Sequence, residues 1–157
     1  MTPQEYMDLA LKEAHKAFLE DEVPVGALVV HSQSGKILAK AHNQTERGNF
    51  LKHAEILAMQ KALKKLQTKR LWDCDLYVTL EPCTMCAAAI SFARIKNLFF
   101  GASDSKGGAV LSGVKFFNSS CCHHKPNISA GIKAPESTEL LQTFFKQKRA
   151  EKNNTHC

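Results

Sequence analysis

Leu76-Tyr77-Val78-Thr79-Leu80-Glu81-Pro82-Cys83-Thr84-Met85-Cys86 joins a strand to a helix through a single turn. Residues 76–80 are leucine, aromatic or β-branched or Thr, the composition of a strand. Glu81-Pro82 ends that run, and the alanine-rich stretch from Cys83 to Ala93 follows as a helix. Ile95 to Phe100 reads as another strand, closed by Gly101. Upstream, Ala54, Leu57, Ala58, Ala62 and Leu66 recur at helical spacing and set a helix over roughly 53–66. The polar, glycine-containing residues 42–51 before it read as a loop. Val23 to Val30 is apolar on both faces, which suits a strand buried between two layers, and Ser34-Gly35 turns it toward Lys36 to Ala41 as a hairpin. Thr2-Pro3-Gln4-Glu5 combines an N-cap hydroxyl, a proline at the first helical position and a reciprocal Glu, opening a helix that runs to about Glu20.

Downstream, residues 101–126 are rich in Gly, Ser and Lys and read as a loop with a short helix. A weak strand at Ile128 to Ile132 precedes a last helix that Pro135 opens, with Leu140, Leu141, Phe144 and Phe145 as its apolar stripe. The resulting order, strand, strand, helix, strand, helix, strand, implies a mixed sheet with helices on its faces. Residues 1–152 are expected to form one domain and 153–157 a frayed tail.

Size and composition agree with that plan. The chain has 157 residues, 44% hydrophobic and 23% charged, with 8 Gly and 5 Pro, which excludes a fibre or a disordered tail. The absence of a long apolar run and the acids Glu5, Asp8 and Glu13 near the start argue against a membrane span or a secretory signal, so a cytoplasmic protein is expected. The net charge of +6 is uneven, because residues 1–22 hold six acids and two bases while the rest hold nineteen bases and nine acids. Such asymmetry points to a polyanionic partner such as nucleic acid.

The chemistry lies in His53-Ala54-Glu55 and Pro82-Cys83-Thr84-Met85-Cys86. Cys83 and Cys86 are three residues apart at a helix start, so both sulfurs share one face beside N–H groups that favour thiolates. His53, opening the other helix, supplies a third metal ligand, and a His/Cys/Cys set leaves the fourth zinc position open for water. Glu55, in the same first turn as His53, is placed to shuttle protons. One zinc ion per chain is expected. Cys121, Cys122, His123 and His124 offer a second cluster, but their loop lacks an anchor and adjacent side chains point apart, so they are expected to be solvated. Cys74 and Cys157 read as inert thiols, and His15, His31, His42 and His156 as surface or satisfied residues.

His-x-Glu followed by Pro-Cys-x-x-Cys is the signature of the zinc nucleobase deaminases. Three longer stretches, Glu22 to Ala27, Leu76 to Cys86 and Phe100 to Ala109, resemble the bacterial tRNA-specific adenosine deaminases, within the cytidine deaminase family. The likeness covers nearly the whole chain, through the Phe144-Phe145 helix. It implies a three-layer α/β/α cytidine deaminase-like fold with a mixed central sheet of about five strands. It also implies a homodimer and conversion of adenosine to inosine at the wobble position of a tRNA anticodon. By the same likeness Asn43 contacts the inserted base, the backbone amides of Ala54 and Cys83 bond to the base or the intermediate, and Asp104 lies near the RNA strand. Lys106 and Phe145 join the substrate contacts, and Lys146, Lys148 and Arg149 are candidates for phosphates. The chain departs from the family at Asn49 to Lys52, at Ala88 and between Asn118 and Pro126. Two rival readings share the signature. A deaminase of a free nucleobase such as cytosine or guanine has less use for a basic final helix. A zinc-stabilised RNA-binding module has none for Glu55.

Overall fold

A computed structural model describes residues 1–154. Strands β1 (Gly26–His31), β2 (Ile37–His42), β3 (Cys74–Leu80), β4 (Asn97–Ala102) and β5 (Asn127–Ser129) form one sheet in the order β2-β1-β3-β4-β5. The short turn through Gly35, which stands at φ 74°, makes β1 and β2 antiparallel. β1 is also antiparallel to β3. A helix bridges β3 and β4, which are therefore parallel, and β5 continues the parallel edge. The mixed five-stranded sheet expected from the family likeness is thus present.

Helices α1 (Pro3–Leu19), α2 (Ala54–Leu66), α3 (Thr84–Ala93) and α4 (Ala134–Asn154) cover it. The period-2 alternation of the strands assigns residues to two cores. Ala27, Val29, Leu76, Val78, Leu98 and Phe100 pack with α2 and α3 on one face. Leu28, Val30 and Tyr77 pack with Tyr6, Met7 and Ala10 of α1 on the other. A strand sandwiched in this way must be apolar on both faces, as the run from Val23 to Val30 is. The start of α1 is fixed by a reciprocal pair in which Thr2 N–H donates to Glu5 Oε2 (3.1 Å) and Glu5 N–H to Thr2 Oγ1 (3.2 Å).

α4 lies on the α1 side, where Phe18 meets Phe144 edge-on at 6.0 Å and Ser137 Oγ donates to the Thr79 carbonyl at 2.5 Å. Only Ser137 and Phe144 of this helix are buried, so its apolar stripe is narrower than its sequence implies, and Phe145 remains 43% exposed. α4 also runs to Asn154, so Asn153 and Asn154, expected in the frayed tail, are helical. The remainder of that tail, with His156 and Cys157, lies outside the described residues.

Strand boundaries differ from expectation: β1 begins at Gly26, past Pro24, which has no N–H to donate, while β3 begins earlier, at Cys74, and β4 later, at Asn97. Gly101 sits inside β4 instead of closing it. β5 stops at Ser129, because the chain reverses through Gly131 at φ 82° to enter α4. The short helix expected within 101–126 is a 3-10 turn at Phe116–Asn118 that buries Phe117.

Gly26 marks the tightest contact between layers. A Cβ there would lie 2.0 Å from the Ala10 carbonyl oxygen and 2.5 Å from the Ala14 nitrogen of α1. Both neighbours are helix backbone and cannot yield without moving α1 off the sheet. Gly26→Ala is therefore expected to destabilise the protein by at least about 2 kcal/mol in denaturant unfolding.

Candidate active site

His53 and Cys83 are the N-cap residues of α2 and α3, both in extended conformation, and neither side chain caps its own helix. Both side chains are thereby left to face each other at the positive ends of two helices. His53 Nδ1 lies 3.6 Å from Cys83 Sγ and 3.5 Å from Cys86 Sγ. A tetrahedral ion about 2.3 Å from each sulfur and about 2.1 Å from the nitrogen sets an S···N separation of about 3.6 Å. The donor set and its spacing therefore fit a zinc-type ion, and these three form the one such cluster among the described residues.

The electrostatics agree with that use. The hydrogen bond from Cys86 brings the Cys83 thiol down to about 4, and the Cys83 partner raises the His53 imidazole while burial opposes it. Cys86 titrates higher, through the same bond to Cys83 and then its own burial. Glu55, two residues after His53 in the first turn of α2, is 4% exposed, and burial pushes its carboxyl up to about 7. It lines a pocket of about 320 Å³ together with His53, Cys83, Asn43 and Asp104. That pocket shares Val23, Leu80, Asp104 and Gly107 with an open groove of about 950 Å³ whose far wall is α4.

Two buried carboxylates build the pocket rim, and sequence reasoning gave neither a role. Glu22 accepts the N–H groups of Glu46 and Arg47, both at 2.9 Å, and so holds the loop between Asn43 and His53. Glu81 accepts those of Asp104, Val110, Leu111 and Ser112. Burial alone would raise the Glu81 pKa, yet these N–H groups and the Ser112 hydroxyl hold it below the ordinary carboxylate value. The available signal was an acid at the edge of an apolar run, Glu22 directly before Val23 and Glu81 between Leu80 and Pro82.

The other expected site residues are sorted by the structure. Asn43 lines the pocket and donates from Nδ2 to Thr45 Oγ1 at 3.4 Å. Ala54 is fully buried in the first turn of α2 and is not among the pocket-lining residues. Asp104 Oδ1 accepts the N–H groups of Lys106 (3.1 Å) and Gly107 (2.9 Å), shaping the turn as well as lining the pocket. Lys106, Phe145, Lys148 and Arg149 line the groove, whereas Lys146 does not. Lys148 is paired closely with Asp21, so an acid of the N-terminal segment does reach the basic helix. The loop of Cys121 to His124 is anchored, contrary to expectation: His124 Nε2 bonds the Ile95 carbonyl at 2.7 Å and the Ser91 hydroxyl donates to the His124 carbonyl at 2.8 Å. His42 is satisfied by Glu20 at 2.9 Å, and burial raises the inert Cys74 thiol to about 11.

Residues 1–149 match the model of the MafB19-like deaminase family. The chain is 52% identical to a tRNA-specific adenosine deaminase of Rickettsia bellii over 141 residues, 89% of this chain and 97% of the relative. It is also 52% identical to one of Agrobacterium fabrum over 145 residues, 92% and 94% of the two chains. A solved structure from work on A-to-I editing by tRNA:A34 deaminases at the wobble position of transfer RNA superposes with a TM-score of 0.84. It shares 51% identity, covering 87% of this chain and 99% of the other. The chain belongs to the tRNA-specific adenosine deaminase family.

The Glu55 environment gives a pH-dependent prediction for the metal-free protein. The folded carboxyl keeps its proton up to about pH 7 while the unfolded one loses it around 4.5, so stability falls as pH rises through that window. Glu55→Gln is expected to remove the loss. In urea unfolding with a chelator, the variant gains about 3 kcal/mol over wild type at pH 8 and nothing at pH 4.

Proposed function

We propose that this chain converts adenosine to inosine at the wobble position of a tRNA anticodon in the cytoplasm, within a single domain over residues 1–152, using one zinc ion held by His53, Cys83 and Cys86. The observation that carries this reading is Glu55 beside the three ligands at the floor of a base-sized pocket that opens into a groove. Zinc, when bound, supplies an acidified water as nucleophile near neutral pH. Glu55 would take the first proton of the attacking water as its oxygen adds to C6 of the adenine and pass it to the ring nitrogen, then carry the remaining hydroxyl proton to the amine as the C6–N bond breaks. Water is consumed, ammonia leaves and inosine remains. Asn43 holds the inserted base, and the backbone N–H groups of Ala54 and Cys83 face the reacting centre.

The target base must arrive unpaired, because its reactive edge is hidden in a duplex, and an anticodon loop presents one in that form. A free nucleobase needs the pocket alone. The groove along α4, with Lys106, Arg149 and Phe145, favours an RNA strand over a free base. Glu55→Ala is expected to keep zinc and tRNA binding while single-turnover inosine formation falls at least ~10²-fold. Near wild-type turnover would remove Glu55 from the mechanism, and ammonia release from guanine or cytosine but not from tRNA would favour the free-base reading.

The outer face of α2 and α3 supports a homodimer. Ala87 and Ile90 fill the core, but Phe92 is 62% exposed beside half-buried Ala89, Ala93, Ile56 and Leu63. An apolar patch of this kind fits a second copy of the chain. Sedimentation equilibrium at micromolar concentration is expected to give a dimer for wild type and a monomer for Phe92→Asp.

A further inference from the structure

Glu81 is 2% exposed, and its charge is met by four backbone N–H groups and one hydroxyl, all from the single segment 104–112. The two oxygens divide the work. Oε2 accepts Val110 N–H at 3.0 Å and those of Leu111 and Ser112 at 2.9 Å, closing the far turn of the segment. Oε1 accepts Asp104 N–H at 3.0 Å and the Ser112 hydroxyl at 2.9 Å, at the end that reaches the pocket. The fit is close: a Cβ on Gly108 would stand 2.5 Å from Glu81 Cδ and 2.5 Å from the Asp104 carbonyl oxygen. Its own chain position gives this carboxylate a second connection. Glu81 N–H donates to Ala102 at the end of β4, and Pro82 and Cys83 follow it directly into α3. One side chain thus joins the metal-ligand helix to the loop that carries Asp104, Lys106 and Gly107 into the groove.

We propose that Glu81 is a positioning residue for substrate: its Oε1 sets the place of Asp104 at the pocket mouth, and its Oε2 holds the rest of the loop. With five donors on it the carboxylate acts on the substrate through the loop it holds. This proposal rests on the deaminase reading above, which supplies the substrate. An isosteric change separates the two halves. In Glu81→Gln the three N–H groups at Oε2 keep the amide oxygen there, so the new NH2 faces the Asp104 N–H, donor against donor. The Ser112 hydroxyl can rotate to accept. Only the Asp104 end of the loop should therefore loosen.

The test uses the zinc-loaded protein and a synthetic tRNA anticodon stem-loop with adenosine at the wobble position. Glu81→Gln is expected to raise KM about tenfold with kcat within about threefold, while zinc content stays at one per chain. Amide exchange at Asp104 accelerates and protection at Val110 to Ser112 persists. Ser112→Ala, which removes one donor from Oε1 and leaves every backbone bond, carries the test if Glu81→Gln does not fold, and raises KM by about threefold. Unchanged KM in a folded variant would overturn the proposal, as would a joint loss of kcat and zinc, which would place the effect on the ligand helix. If wild type forms no inosine from the stem-loop, the function reading fails, and the exchange pattern at Asp104 still decides whether Glu81 anchors this loop.

Discussion

Two helix N-termini must meet at one point, and the rest of the molecule is arranged around that requirement. His53 and Cys83 come from segments thirty residues apart, yet their donor atoms stand 3.6 Å from each other. α2 and α3 lie on the same face of the sheet and share one core with it, in which Ala54, Ala58, Ala62 and Ala87 are all fully buried. Larger residues would separate the helices and with them the donor atoms. The N-cap positions add a second condition. A Ser or Asp at either one would satisfy the helix with its own side chain, whereas His53 and Cys83 leave the first-turn N–H groups to support negative charge at the cluster.

The substrate-facing walls obey a different constraint. Loops that line a pocket carry backbone polar groups away from water, and each must find a partner. Glu22 and Glu81 supply those partners from inside the protein, charge-assisted and buried, so that each loop is fastened to the element leading into the sheet or the ligand helix. Removing either acid would leave several donors unmet at once, which is a larger loss than a single surface hydrogen bond. A buried floor and a pinned rim together give the pocket beside Glu55 its shape.

Charge is distributed on a coarser scale. The groove wall on α4 is basic, and Lys148 is engaged by Asp21 and Glu151 with its ammonium 5.6 Å from the Phe144 ring centre. The acidic first segment is therefore not remote from the basic helix. It lies against it, and Lys133 pairs with Asp8 at 3.3 Å near the other end of α4. These exposed pairs contribute little stability individually; the buried residues of α4, Ser137 on the Thr79 carbonyl and Phe144 against Phe18, mark the side turned to the body of the protein.

Local pattern and residue type were enough to read most of the elements and the candidate chemistry. Strand and helix periods follow from local sterics and from alternating burial, so the run through Val30, the capping box at Thr2 and the Cys83 helix were legible from spacing alone. The clustering of His53, Cys83 and Cys86, with Glu55 near them, was legible because a metal site demands particular residue types at particular intervals. How the loops are held and which surface residues face the groove follow from the folded chain alone. Glu81 finds its donors 23 to 31 residues away along the chain, Lys146 turns out of the groove while Lys148 and Arg149 enter it, and His124 anchors a loop that reads as solvated. Backbone N–H groups are identical in every residue, so a buried carboxylate leaves no pattern in the sequence that names its partners. The closing of the chain on itself selects them.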